Sequence, residues 1–208
     1  DVFLGCPLRT VTLPNSLEKI GYGAFECCFA LETITFPNSL KEIGDYAFSH
    51  SGLKDVAIPD SVEKIGDYCF SQCLELTEVQ IGNGIKEIGY LFVDCRKLKS
   101  VSLPAGITKM EGTFMWCSAL ETIILPESLV VVGDHTFYKC PSLKEIVLPK
   151  YLKEIGHRAF TESGITEISI PDKVEMMGSY AFEKCALLER ITLPKGIGMN
   201  GGIFSECM

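Results

Sequence analysis

One motif of 22 or 23 residues recurs along the whole of this 208-residue chain, and that period limits what the chain can fold into more than any single residue does. The clearest copies read LETITFPNSLKEIGDYAFSHS, LKDVAIPDSVEKIGDYCFSQC and LKEIVLPKYLKEIGHRAFTES. A proline slot falls at Pro14, Pro37, Pro59, Pro104, Pro126, Pro149, Pro171 and Pro194, with Gly82 in the copy that lacks it. Phenylalanine keeps the same beat at Phe3, Phe25, Phe48, Phe70, Phe92, Phe114, Phe137, Phe160, Phe182 and Phe204, ten of the twelve in the chain. A period of that length marks a solenoid, in which each unit buries its apolar face against the units before and after it. Stacked repeats expose long surfaces, and most such surfaces bind other molecules.

Bulk properties narrow the class further. An apolar content of 47% and a mean hydropathy of +0.22 set the chain apart from compositions that stay disordered. A solenoid has one continuous core, so residues 1–208 read as a single domain. The net charge is −8, lysine and glutamate are interleaved, and no basic run occurs, which argues against a nucleic-acid groove or a polybasic membrane surface. No stretch approaches the roughly 18 consecutive apolar residues of a membrane span, so this segment is expected to make no direct membrane insertion. The chain opens at Asp1 inside a repeat and stops one residue after a cysteine slot. It reads as a piece of a longer protein, with any export signal, anchor or capping repeat outside it.

Within each unit an apolar residue leads into a period-two alternation. Ile34 with Phe36, Val56 with Ile58, and Val79 with Ile81 are expected to point inward while Thr35, Ala57 and Gln80 face out, giving one short strand per repeat. Strands so far apart in sequence pair in parallel through right-handed crossovers, so the sheet is parallel and curved, with few or no regular helices. Proline ends the strand where its missing N–H interrupts the ladder. A second inward pair follows, Leu40 and Ile43 in one copy, and then a glycine slot: Gly21, Gly44, Gly66, Gly89, Gly133, Gly156, Gly178 and Gly201, with Glu111 the exception. Glycine at a fixed step means either a positive φ or a close approach between coils. A small residue and the phenylalanine then plug the far side of the core. Where the coil is one residue shorter, Leu91, Thr113 or Ile203 takes the small slot and predicts local repacking.

Charge supplies an independent check. The fourth position after the proline slot reads Glu18, Lys41, Glu63, Lys86, and the fifth reads Lys19, Glu42, Lys64, Glu87, Lys109. Coils stacked in register about 4.8 Å apart would set each charge against its opposite. A second short strand in that segment follows from the pattern.

The composite of strand, proline, two apolar residues three apart, glycine, Ala-Phe and cysteine resembles the BspA-type leucine-rich repeat, and the resemblance spans essentially all of the chain in about nine units. It implies a leucine-rich-repeat solenoid, right-handed and curved, without the long asparagine ladder of other leucine-rich repeats. It also implies a secreted or cell-surface protein of bacteria or mucosal protists, an adhesin-type module whose partner is a host extracellular or microbial surface protein. The family lends no catalytic residues and no cofactor.

Eight of the ten cysteines sit three residues after the phenylalanine slot, at Cys6, Cys28, Cys73, Cys95, Cys117, Cys140, Cys185 and Cys207, with Ser51 and Ser163 in the remaining copies. Stacked side chains that point the same way fit a ladder of free thiols better than disulfides, whose geometry needs the two Cβ vectors turned toward each other. Zinc is disfavoured by the lack of ligand pairs two to four residues apart with matching partners. Cys27 alone falls in a polar column and is the candidate for an exposed thiol. His50, His135 and His157 occupy solvent-type slots, and Asp45, Asp67 and Asp134 follow the turn glycine as cap or turn residues. No column joins a serine, a histidine and an acid, and no glycine-rich phosphate loop occurs, so the chain is not read as an enzyme.

Exceptions to the column chemistry cluster between residues 115 and 147. Met115 and Trp116 follow one phenylalanine slot and Tyr138 the next, Ile124 and Val147 take outward strand positions, and Val130 and Val131 replace the Lys/Glu pair. Apolar residues in slots that should be wet are what an interface core presents, and these seven are the candidate binding residues. They fall on at least two faces of the coil. The outward acids Asp55, Glu78, Glu145 and Glu167 form a second candidate, for a basic partner. An intracellular scaffold segment and a structural spacer stand as rivals to the adhesin. Carbohydrate binding is the minor option, since the chain has one tryptophan and no evident aromatic platform. Oligomeric state is not encoded in any of these signals.

Overall fold

The computed structural model describes residues 2–198 and 201–207 as a parallel-β solenoid of about eight turns without a helix. Each turn has three sides: a leading segment before the proline slot, a trailing segment after it, and a turn-rich arc from the glycine slot to the cysteine slot. The trailing segments form the predicted second strands. Lys19–Ile20, Glu42–Ile43 and Lys64–Ile65 pair in one sheet, and Glu87–Ile88, Lys109–Met110, Val131–Val132, Glu154–Ile155 and Met176–Met177 in another. The equivalent stretch of the ninth repeat runs into residues 199 and 200, outside the described residues.

Leading segments form strands at Asp55–Ala57, Glu78–Gln80 and Ser100–Ser102, and again at Glu167–Ser169 and Arg190–Thr192. The expected burial alternation holds: Val56, Ile58, Val79 and Ile81 are buried, and Ala57 and Gln80 are exposed. One strand per repeat does not hold. Residues 122–124 and 145–147 keep the alternation but lack the ladder, because the backbone bond at the entry (Glu121 N–H to Lys99 O, 3.3 Å) has no successor. Across that span the coils are tied on the trailing side, whose five-strand ladder runs unbroken. Conversely the trailing ladder is open between Lys64–Ile65 and Glu87–Ile88, and there the leading ladder closes, with Ile58 N–H donating to Gln80 O at 2.9 Å. Each of the two ladders bridges the gap in the other.

The turn arc binds at every step. In each coil the phenylalanine N–H donates to the next coil (Phe25 to Ala47 O, 2.7 Å; Phe137 to Ala159 O, 2.7 Å), and so does the residue two further on (Cys27 to Ser49 O, Trp116 to Tyr138 O, both 2.8 Å). That second donor is left-handed in every coil, from Gly5 and Cys27 through Trp116 (φ 67°) to Glu206. Most coils hold another left-handed residue two positions before the phenylalanine, such as Tyr46, Tyr68 and His135. Left-handed backbone is uncommon for residues with a Cβ, and here it aims alternate N–H groups along the solenoid axis.

The core follows the sequence columns. All ten slot phenylalanines stack in one row, with neighbouring centroids from 5.1 Å (Phe160–Phe182) to 6.0 Å (Phe70–Phe92). The turn glycines are not left-handed, and all but Gly21 and Gly201 answer to close approach. A Cβ on Gly156 would stand 2.4 Å from Asp134 N, and one on Gly178 2.3 Å from His157 N. The aspartates after the glycine cap neighbouring coils rather than their own: Asp45 Oδ1 accepts from Asp67 N–H at 3.0 Å, and Asp134 Oδ1 from His157 N–H at 2.6 Å. Leu91, Thr113 and Ile203 are buried as expected, and at Leu91 the turn tightens, its N–H donating to Gly89 O at 2.8 Å.

Candidate interaction surfaces

The structure places the seven candidate residues on all three sides of the coil. Ile124 and Val147 lie on the leading side in adjoining coils, 86% and 84% exposed. They occupy the span where the leading ladder is open, so two aliphatic side chains and a row of unlinked strand segments share one face. Beside Ile124 is a hollow of about 500 Å³ that includes Leu103, Ala105 and Pro126, and beside Val147 another of about 580 Å³ that includes Leu148 and Ile170.

Val130 and Val131 belong to the trailing side and are half-buried. Val131 sits in register between Lys109 and Glu154, and so interrupts the alternation of charge. Three of the predicted pairs form, Lys19–Glu42 at 3.0 Å, Lys64–Glu42 at 3.7 Å and Lys41–Glu63 at 3.4 Å; beyond them the ladder opens between Lys64 and Glu87, and Glu87 lies in register with Lys109 without an ion pair. The hydrogen bond from Lys19 and the charges of Lys19 and Lys64 draw the Glu42 carboxyl below its ordinary range. Lys109 instead takes Glu111 of its own coil at 2.8 Å, the residue that replaces glycine in that one repeat.

Met115, Trp116 and Tyr138 share the turn arc. Trp116 and Tyr138 meet edge to face with centroids 5.9 Å apart, and Lys139 Nζ stands 4.1 Å from the Trp116 centroid, over its face. Glu162 holds that lysine at 3.7 Å. The acid column divides as well. Asp55 and Glu78 are direct cross-strand partners of like charge, whereas Glu167 is paired with Arg190, whose Nε lies 3.0 Å from its carboxylate.

Two features escaped the sequence reading. One is the left-handed column, occupied by Cys27, His50, Gln72, Asp94, Trp116 and Lys139 among others, which share no side-chain chemistry to betray it. The other is an outer row of tyrosines, Tyr22, Tyr46, Tyr68 and Tyr90, on four successive coils. Tyr46, Tyr68 and Tyr90 each stand two positions before a slot phenylalanine, with Tyr22 one position earlier in its coil, and that recurrence was the available signal for an aromatic row that the expectation of no aromatic platform overlooked. Their ring faces are largely spent on one another.

The cysteine column is bonded within the core. From Cys28 onward each thiol of the column donates to the carbonyl of the phenylalanine one coil back: Cys73 to Phe48 O at 3.2 Å, Cys95 to Phe70 O at 3.0 Å, Cys117 to Phe92 O and Cys140 to Phe114 O at 3.1 Å. Ser51 and Ser163 face the next sulfur instead, at 3.3 and 3.4 Å from Cys73 and Cys185. Burial raises these thiols, Cys73 and Cys185 to about 11. Such groups are poor nucleophiles at neutral pH. Cys27 is half-buried. Of the histidines, His135 and His157 meet in neighbouring coils with ring centroids 5.5 Å apart. No group of three or more His, Cys, Asp or Glu among the described residues is placed to hold a metal ion. No helix among them is long and apolar enough to cross a membrane.

The BspA type leucine rich repeat region matches residues 1–113 and 110–208, in six copies. The chain belongs to this family. No curated protein matches it. Among solved structures, the BspA-type solenoid is similar to a leucine-rich cell surface protein of Faecalibacterium prausnitzii, at 27% identity and a TM-score of 0.60 over 89% of this chain. It spans 59% of that protein's length. A leucine-rich repeat protein of Bacteroides ovatus is 25% identical, with a TM-score of 0.53 over 99% of this chain and 72% of its own. The pneumococcal vaccine antigen PcpA shares the fold, at 23% identity and a TM-score of 0.62 over 96% of this chain and 60% of its own. Membership of a leucine-rich-repeat family suggests a protein-interaction repeat module.

Proposed function

We propose that this BspA-type segment is a protein-recognition module of a cell-surface or secreted protein, an adhesin-type binder of host or microbial proteins. The partner docks on the leading side around Ile124 and Val147. The observation that carries this reading is the exposure of those two side chains, 86% and 84%, in adjoining coils of a face otherwise lined, Ala57 apart, by polar and charged side chains. Apolar side chains gathered in one place on a polar face are the makings of an interface core. The surface setting draws support from the cell surface protein of Faecalibacterium prausnitzii, which this chain resembles. Asp55, Glu78 and Glu145, outward on the same face, favour a partner with basic groups flanking its apolar anchor.

The test is capture on immobilised protein from serum and extracellular-matrix extract beside cytosolic lysate. An Ile124→Asp, Val147→Asp variant probes the leading side and a Trp116→Ser variant the turn arc. Saturable capture of an extracellular protein, lost in the first variant and weakened by salt, supports the reading. Capture from cytosol alone points to an intracellular scaffold, and loss only with Trp116→Ser moves the site to the turn arc. No capture from any source leaves the spacer as the better account.

A further inference from the structure

The tyrosine row on the turn arc has no part in the recognition reading, and its geometry carries a chemistry of its own. Tyr46 and Tyr68 lie with ring centroids 5.1 Å apart and planes 13° from parallel. Tyr68 and Tyr90 follow at 5.5 Å and 20°, and Tyr22 leans on Tyr46 at 5.6 Å, tilted by 54°. The three inner rings are partly exposed and Tyr22 is more so, so small oxidants reach them. The spacing is set by the backbone, since Tyr46 N–H donates to Asp67 O at 3.0 Å and Tyr68 N–H to Tyr90 O at 2.9 Å. Gly112 ends the row and makes room for it: a Cβ there would stand 2.1 Å from the Tyr90 ring.

Parallel phenols held one coil apart are placed for radical coupling. We propose that Tyr46, Tyr68 and Tyr90 form an oxidative modification site, at which a haem peroxidase with hydrogen peroxide joins neighbouring coils through a dityrosine bond between Tyr68 and either flanking tyrosine. Each of two phenols gives up one electron and one proton. The resulting phenoxyl radicals form one carbon–carbon bond between ortho carbons, and the hydrogens on those carbons pass to the oxygens as the rings regain aromaticity. The two electrons and two protons released reduce one hydrogen peroxide to two waters. Burial, with Tyr46 and Asp67 beside it, raises the Tyr68 phenol, so at neutral pH the proton leaves with the electron. A radical formed on any one of these rings has another phenol one coil away, with centroids 5.1 or 5.5 Å apart, and that proximity steers coupling to these neighbours over the lone Tyr151, itself 56% exposed. The bond staples one coil to the next on the solenoid's outer side.

The experiment treats the folded chain, dilute enough that molecules seldom meet, with a haem peroxidase and hydrogen peroxide. Dityrosine fluorescence and mass mapping of proteolytic peptides give the readout. The expected product is a cross-linked pair carrying Tyr68 with Tyr46 or Tyr90, lighter by two hydrogens, and a treated protein that unfolds at higher temperature. Tyr68→Phe is expected to abolish both links while Tyr151→Phe leaves the yield unchanged, with circular dichroism showing both variants folded. A Tyr46→Phe, Tyr90→Phe double variant gives the same loss by removing the partners instead. Cross-links that persist in Tyr68→Phe, links through Tyr151, or oxidation confined to Trp116 or Cys27 with the tyrosines intact would each overturn the proposal.

Discussion

Truncating the middle of the phenylalanine row tests how this solenoid is held together. Phe114 is fully buried and stacked on both sides, 5.8 Å from Phe92 and 5.6 Å from Phe137. Phe3 is 39% exposed and stacks only on Phe25, at 5.2 Å. Replacing a buried phenylalanine by alanine costs about 3–5 kcal/mol, a figure that includes roughly 1 kcal/mol for each stacked pair lost. Phe114→Ala is therefore expected to cost about 4 kcal/mol, because both partners are lost and the cavity is closed on every side. For Phe3→Ala the expectation is about 1–2 kcal/mol, with one partner and a side chain already part-way in water. Repeats couple only to their neighbours, so a central defect also loosens the two halves from each other. Urea unfolding followed by circular dichroism is expected to show a lower midpoint and a broadened or two-step transition for Phe114→Ala, and a modest parallel shift for Phe3→Ala. Equal losses at the two sites, or a loss below about 2 kcal/mol at Phe114, would refute the account of a continuous core carried by this row.

Gly156→Ala drives a Cβ to within 2.4 Å of Asp134 N and is expected to lower stability by about 3 kcal/mol; a thermal melt indistinguishable from the parent would show that the coils are not packed that tightly. Burial, then the charge of His157, holds the His135 imidazole below its ordinary 6.5. The unfolded chain therefore takes up the proton first, and stability is full above that value and declines as pH falls below it. His135→Gln should flatten the acid limb of a plot of melting temperature against pH, and an unchanged limb would count against that assignment. The buried thiols act at the other extreme, since Cys73 and Cys185 are raised from 9.0 to about 11. The unfolded thiols ionise first, so stability is expected to drop as pH rises above 9 and to go on dropping toward 11. Cys73→Ser should blunt that loss, and alkaline titration of the unfolding midpoint is the check.

What could be read from the sequence was whatever each coil repeats in side-chain chemistry. The Phe114 and Cys117 columns, the inward Val56 and Ile58, and the pairing of Lys19 with Glu42 all followed from register alone, because a fixed period brings like slots together. The interruptions of the ladders did not follow. Ile123 and Ile146 are as suited to a strand as Val79, and only the three-dimensional path of the coils decides which side closes. The left-handed column was hidden for another reason: Gln72, Asp94, Trp116 and Lys139 are selected there for a backbone direction, which leaves the side chain unconstrained. The candidate site was legible residue by residue but not as a place. Trp116, Val131 and Val147 are near in sequence, yet one turn of a coil carries each to a different side.

The thiol-to-carbonyl bonds give the protein a set of internal markers. A cysteine bonded to the phenylalanine carbonyl of the coil before it, as Cys95, Cys117 and Cys140 are, is sealed until that junction parts. Each sits at a known rung, whereas Cys6 and Cys207 near the two ends are only half-buried. The time at which each sulfur becomes accessible to an alkylating reagent thus records how far fraying has travelled, rung by rung, and from which end it began.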